Sequence, residues 1–443
     1  MDAASPLRTL TPTFGPLSLG NTSPGAPARR RQNAHLMVGS PARRHIVVLS
    51  QFYPPEAAAA SNRVAAISRA LAAAGNKVTV ITGLPSFPDG VIPEAFRYRG
   101  CRSTADGDVG VDRVWTLASG RLRTVDRLRN WLSVAAGATL RVLFRREPID
   151  VVLVSSPPIT LALPALVASA VKGAQLIVDV RDVYPEVAIK LGIWKRNGAL
   201  ARLVGLIADA LHRHATLILT VTETCKAEIA ARGVPAEKIV VAPNGFDHVM
   251  EGAHAPIEHA EGEFIVAYAG NMGLATGLEV VLEAALELRP QRRFRFVLIG
   301  GGAGADVIAR RVASEHLENV TLLGTQPREV TAAVMRLADV CVVPLKRGVV
   351  DSLPTKLLDA LSLGTPVIVC ADGEAKEFVD RSGGGVSVPP ENGHALAAAI
   401  DELAADPARR IALGRSGKSF VFANYERAKV VSDVVRRVAS LPA

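Results

Sequence analysis

Residues 351–369, DSLPTKLLDALSLGTPVIV, carry a complete helix-to-strand unit. Pro354 suits a first helical turn, where its missing N–H would have no intrahelical partner anyway. Asp351 or Ser352 just before it can accept from the free N–H groups there. Gly364 stops the helix, because a chain leaving a helix turns most cheaply through a left-handed residue. The β-branched run that follows suits a strand covered on both faces. Helix, glycine and buried strand make up the repeating phrase of a parallel α/β domain.

The phrase recurs outward along the chain. Just upstream lie FIVAYAG, FRFVLIGGG, VTLLG and VCVVPL. An earlier series holds HIVVLS ending at Ser50, KVTVIT at Thr82, IDVVLVSS at Ser156, QLIVDV at Val180 and LILTVT at Thr222. Amphipathic or alanine-rich segments separate most of these runs, and Ser61–Ala74 has helical periodicity that stops at Gly75. Between the two series, HVMEGAHAPIEHAEGE is polar and irregular and reads as an interdomain linker. At 443 residues the chain exceeds what one core usually serves. The predicted fold class is α/β, with two Rossmann-like doubly wound domains facing a central cleft. The boundaries expected are 44–250 for the first domain, 262–424 for the second, and 425–443 for a helix packing back on the first. Residues 1–43 are rich in Pro, Gly, Ser and Arg with no hydrophobic period, so they are expected to be disordered; Met37 offers an alternative start.

Composition narrows the function. Aromatic residues are 5% of the chain, too few for a stacking platform for single-stranded nucleic acid or for a ring-lined carbohydrate module. Cys101, Cys225, Cys341 and Cys370 are scattered without CxxC or zinc spacing, which fits a reducing, cytoplasmic setting. The net charge of +9 reads either as solvated surface arginine or as a face for anionic headgroups or a pyrophosphate-linked acceptor. No secretory signal core or membrane span is evident; the nearest run, ITLALPALVASAV from Ile159, is short and contains Pro164. The segment RLRTVDRLRNWLSVAAGATLRVLFRR flanks an apolar core with arginines and places Trp131 near its start. It suits an interfacial helix or a helix packed on its own sheet.

Ligands of open α/β sheets bind beyond the carboxyl ends of the strands, so the loops there are the candidates. In YAGNMGLATGLE, Gly270, Asn271, Gly273 and Gly277 form a strand-to-helix turn that either cradles a diphosphate or is simply tight. GxGxxG is not met, which disfavours a nicotinamide cofactor. Gly300, Gly301 and Gly302 end the next strand and join the same cleft edge. Lys356 and Asp359 lie one helical turn apart; a lysine can pair with phosphate and a carboxylate with a ribose diol, or the two can pair with each other. In the first half, Arg181, Asp182, Tyr184 and Glu186 follow the strand QLIVDV as a site loop or, for Arg181 and Asp182, as a buried ion pair. The DxD at Asp106–Asp108 lies in a turn away from these loops, and His212 and His214 do not share a helix face, so no metal site is expected.

Taken together, FYPPEAAAASNR, SSPPIT, VDVRDVYPE, APNGFD, YAGNMGLATGLE and PTKLLDALSLGTPVI resemble the retaining GT-B transferases of glycosyltransferase family 4. VDVRDVYPE and AGNMGLATGLE are most similar to the branch with N-acetyl-L-fucosaminyltransferases of surface-polysaccharide assembly. The resemblance implies retaining transfer of an N-acetylated amino sugar from a UDP-linked donor to a glycan or polyprenyl-pyrophosphate-linked glycan. It implies no metal or other cofactor. The cysteine usage and the basic segment around Trp131 point to a cytoplasmic place at the inner membrane face, and the lack of a recognition motif to no nucleic-acid partner. The family's Glu-x7-Glu motif falls on Asp351 and Asp359, both one methylene shorter; by resemblance Asp351 lies near the donor sugar and Asp359 on the ribose. Lys356, Arg181 and Asp182 join Asp351 as the candidate catalytic set. Gly270, Asn271, Gly273, Gly277, Gly301, Leu357, Asp359, Glu186 and Asn62 form the candidate donor-binding set. The family's basic residue is replaced by Thr276, its histidine near Arg181 is missing, and alanines fill its glycine pair, leaving Asn62 and Arg63 as substitutes. A nucleotide-sugar epimerase and a non-catalytic transferase partner are the rival readings.

Overall fold

The computed structural model describes residues 43–442 apart from 57, 88–89, 98–99, 121–123, 250–251 and 274–275. The N-terminal extension and Met37 therefore lie outside the described residues. In the first half, β1 (His45–Leu49), β2 (Lys77–Thr82), β3 (Arg102–Asp106), β4 (Val109–Arg113), β5 (Val151–Ser156), β6 (Gln175–Val180), β7 (Leu217–Thr220) and β8 (Ile239–Val241) form one sheet in the order β3-β4-β2-β1-β5-β6-β7-β8. Every pairing is parallel except β3 with β4, a hairpin turned by Gly107 at φ 58°.

The second half holds β9 (Phe264–Ala269), β10 (Phe294–Ile299), β11 (Val320–Gly324), β12 (Val340–Pro344), β13 (Val367–Cys370) and β14 (Gly385–Val388) in the order β11-β10-β9-β12-β13-β14, all parallel. The central strands are buried on both faces, which is why they read as unbroken β-branched runs. Alternation still sorts their side chains. Val47 and Leu49 join the core on one face of the first sheet, while Ile46 and Val48 join the core on the other.

Helices cover the sheets as the sequence pattern requires. The helix Ala59–Ala73 stops at Ala74, with Gly75 left-handed at φ 92°. The helix Thr355–Leu363 ends on Gly364 at φ 86°. Its start differs from expectation: Pro354 is the cap residue, no side chain caps it, and Asp351 is drawn elsewhere. Leu357, Leu358 and Leu361 of this helix are fully buried against the sheet.

The chain crosses between the halves twice. After β8 it leads through Pro243–Asp247 toward β9, and after the helix Pro407–Asn424 it returns to the C-terminal helix Arg427–Ala439. The crossings are stitched together: Phe246 N donates to Tyr425 O at 3.0 Å and Arg427 N to Phe246 O at 2.9 Å. The C-terminal helix lays Val430, Val431, Val434 and Val438 into the first half's core beside Val64, Ile67 and Leu71. Burying each such valine contributes on the order of 1.5–3 kcal/mol, so this helix belongs physically to the first half.

Candidate active site

The carboxyl ends of both sheets converge on two adjoining cavities. One, of about 420 Å³, belongs to the second half and is lined by Gly270, Asn271, Thr276, Thr331, Met335, Lys356 and Asp359 among others. The other, of about 210 Å³, lies between the halves. There, Arg181, Asp182, Cys225 and Asn244 from the first half face Asp351–Thr355 from the second. Ser352, Pro354 and Thr355 line both, so the cavities share a wall and together make one cleft.

The floor of the larger cavity is backbone packed on backbone. Gly270 N donates to Ile299 O at 2.9 Å, Met272 N to Gly301 O at 2.8 Å, and Gly304 N to Met272 O at 2.8 Å. A methyl group on Gly300 would overlap the Gly270 carbonyl oxygen, and one on Gly302 would overlap Asn271 Oδ1. Those glycines therefore let the two loops touch. Gly301 faces Thr325 Oγ1 rather than the cavity, and Gly277 packs on the Leu345–Lys346 backbone. Gly273 accepts from the Thr276 hydroxyl at 2.7 Å and closes the turn. Of the loop glycines proposed for the donor, Gly270 alone lines the cavity, together with Asn271.

Lys356 is half-buried and reaches over Gly270, where an added methyl would lie 3.1 Å from its Cε. Its Nζ donates to the Tyr268 hydroxyl at 2.8 Å. Recession into the cleft lowers its pKa to about 7, since a charged ammonium loses hydration there. The same recession raises Asp359 to about 6, opposed by the more distant Arg328 and Arg427. No ion pair joins Lys356 to Asp359, so the helix-surface pairing open to them in sequence is not formed.

Asp351 sits on the other side of the shared wall, almost fully buried. Lys190 from the first half donates to its Oδ2 at 3.2 Å, while also bonding Glu228. Its carbonyl accepts from Thr222 Oγ1 at 3.1 Å, and Glu374 accepts from Thr224 Oγ1 at 3.0 Å. These bonds hold the halves together across the cleft and explain why Asp351 does not cap the following helix. Arg181 donates to Ser155 Oγ at 3.2 Å and to the Pro157 carbonyl at 2.6 Å, not to Asp182. Asp182 opens on the cleft, and its recessed position raises its carboxyl above the ordinary range against the pull of Arg181.

Other expected positions lie apart. Leu357 is buried in the core of the second half. Glu186 accepts from Arg232 at 2.5 Å and belongs to a surface network with Asp209. Asn62 is exposed on the helix Ala59–Ala73 and lines neither cavity. Arg63 next to it is turned inward, with Nη2 2.7 Å from Asp179 Oδ1 and Nη1 2.9 Å from the Pro243 carbonyl. Asp106 of the DxD accepts from Tyr53 and Arg69, and among the described residues no three His, Cys, Asp or Glu group so as to hold a metal ion.

Sequence reasoning missed Lys190, Tyr268, Thr331 and Met335. Lys190 lies one helical turn beyond Glu186 of VYPE, but nothing marks it as the partner of a residue so distant in the chain. Tyr268 reads as a strand residue. Thr331 and Met335 share a helix face four apart, the only trace they leave in sequence.

Residues 58–245 match the family profile described as a glycosyl transferase 4-like domain, and residues 250–420 match Glycosyl transferases group 1. A protein of Escherichia coli K12 named for a glycosyl transferase of colanic acid biosynthesis, WcaI, is 25% identical over 374 residues, covering 80% of this chain and 91% of that protein. Sucrose-phosphate synthase from Thermosynechococcus elongatus has a similar fold, with a TM-score of 0.68 at 20% identity over 89% of this chain and 98% of that one. HepE of Anabaena, in complex with UDP-glucose, gives 0.62 at 15% identity over 90% of this chain and 100% of that one. With one profile on each half of a two-sheet fold, the chain belongs to the GT-B glycosyltransferases of the group 1, family 4-like kind.

Proposed function

We propose that the protein transfers an N-acetylated amino sugar from a UDP-linked donor to a hydroxyl of a lipid-linked glycan, with retention at the anomeric carbon, in surface-polysaccharide synthesis. The observation that carries this reading is the cavity of Gly270, Asn271, Lys356 and Asp359 opening, across Ser352–Thr355, into the cavity between the halves. A nucleoside diphosphate in the first directs its sugar toward the second. Lys356 then stabilises charge developing on the leaving diphosphate, and Asp359 accepts hydrogen bonds from the ribose. The acceptor hydroxyl attacks from the face the diphosphate leaves, giving up its proton to that diphosphate. No protein nucleophile and no metal enters this scheme. The catalytic demand is for position and exclusion of water, which the bonds from Lys190, Thr222 and Thr224 across the cleft support.

The UDP-glucose bound by HepE supports the donor class, and the name of WcaI supports the pathway class. The acceptor reading draws on the helix Thr124–Leu143. It exposes Leu128, Leu132 and Leu140, with Phe144 79% exposed just beyond, and the exposed Arg127 and Arg129 flank Leu128. No described helix is long and apolar enough to cross a membrane, so contact through this face would be peripheral.

The test is a purified-protein assay with UDP-N-acetylhexosamines and a polyprenyl-diphosphate sugar, the product's anomeric configuration being read by NMR. Retention is expected. Inversion, epimerisation of the donor without acceptor, or no binding of any nucleoside-diphosphate sugar overturns the proposal.

A further inference from the structure

Tyr268 is the penultimate residue of β9, its ring fully buried, yet its hydroxyl is fully engaged at the cavity edge. It accepts from Lys356 Nζ at 2.8 Å and donates to the Asn271 carbonyl at 2.7 Å. The same ammonium lies 4.2 Å from the ring centroid. One phenol thus joins the lysine on the helix Thr355–Leu363 to the first turn of the glycine loop, and both Lys356 and Asn271 line the cavity.

The choice of partner has a chemical consequence. A carboxylate in this place would neutralise the ammonium and compete with an incoming phosphate. A phenol fixes the lysine's direction while leaving its charge unspent, and burial keeps the phenol protonated by raising its pKa. A lysine ammonium has three donors, so the others stay free for a ligand. Gly270 completes the seat, since an added methyl would lie 3.2 Å from Nζ. An unanchored lysine would have to lose its rotamer freedom on binding, and anchoring it beforehand removes most of that cost.

We propose that Tyr268 is a positioning residue for the donor, its hydroxyl holding Lys356 and the glycine loop in one phosphate-receiving geometry before the donor arrives. The inference rests on the reading of this cavity as the donor site. Its signature is selectivity for phosphate: the effect of Tyr268 passes through Lys356 and is absent from a ligand that lacks phosphate.

Calorimetric titration of UDP and of uridine into wild type, Tyr268→Phe, Lys356→Met and the double variant tests it. Tyr268→Phe is expected to weaken UDP about tenfold to 150-fold, as loss of one hydrogen bond to a charged group implies, and to leave uridine unchanged. In the Lys356→Met background it should add nothing. Unchanged UDP binding, equal loss of UDP and uridine, or the same loss in the Lys356→Met background overturns the positioning role. If wild type binds UDP no better than uridine, or Lys356→Met leaves UDP unaffected, the donor reading fails and the inference with it. Should Tyr268→Phe not fold, 3-fluorotyrosine at position 268 supplies the readout by 19F NMR. Its resonance must move with UDP and stay still with uridine; the reverse, or no movement, overturns the role.

Discussion

Raising the pH from 7 to 9 should strip the donor site of its main positive charge. Lys356 in the free protein titrates at about 7 because its recessed ammonium is poorly hydrated and no carboxylate is paired with it. A bound diphosphate favours the charged form, so binding takes up a proton. Affinity is then full below the free lysine's pKa and falls as the pH rises through it. At pH 9 about 1% of the free lysine is charged, against about half at pH 7, so the donor should bind about 50-fold more weakly, or about 2.3 kcal/mol. Asp359, raised to about 6, sets the opposite limb: protonation below pH 6 removes its acceptor strength, costing about fivefold between pH 6 and 5. A UDP-sugar is the right probe, because its diphosphate is esterified on both sides and does not titrate in this range. Calorimetry in buffers of differing ionisation enthalpy should report uptake of about half a proton at pH 7 and nearly one at pH 8.5. Affinity that stays flat from pH 7 to 9, or the same slope in Lys356→Met, would refute the reasoning.

Two further outcomes follow from the packing. Arg63 and Asp179 form a pair that is 3% and 0% exposed, so Arg63→Met strands a buried carboxylate. It should cost about 3–5 kcal/mol, seen as a melting temperature lower by on the order of 10 °C, with partial recovery on adding Asp179→Asn. Gly300→Ala forces a methyl onto the Gly270 carbonyl at a φ of 134° and should abolish donor binding by displacing the glycine loop. Gly301→Ala meets only the Thr325 hydroxyl and should keep donor binding within about threefold by thermal shift; the opposite ranking would show that the loops do not pack this way.

The main strands were legible because burial on both faces demands unbroken β-branched runs, and the runs at His45, Lys77, Val151, Phe264, Phe294 and Val367 all became strands. The edge was not legible. Arg102–Asp106 is polar and largely exposed, and it is a strand only because the β4 hairpin partner lies beside it. Gly385–Val388 is half-buried, too weak a hydrophobic signal to stand out. In the site, Lys356 and Asp359 could be placed on one helix face by spacing alone, but whether they paired with each other could not. That depended on what stood opposite, and Tyr268 drew the lysine away.

By itself the sequence determined the α/β class, the two halves, the glycine stops and the family, since each rests on local backbone preference or on short contiguous motifs. Tertiary structure alone decided the partners. It turned Asp351 from a helix cap to a partner of Lys190, 161 positions away, and buried Leu357. It gave Arg63 to Asp179, 116 positions away, and set Gly300 and Gly302 to bring two loops into contact rather than to face a ligand. The physical reason is common to all of these. A charge or a missing Cβ has no meaning until the fold supplies what lies against it, and no periodicity along the chain encodes a neighbour more than a hundred residues distant.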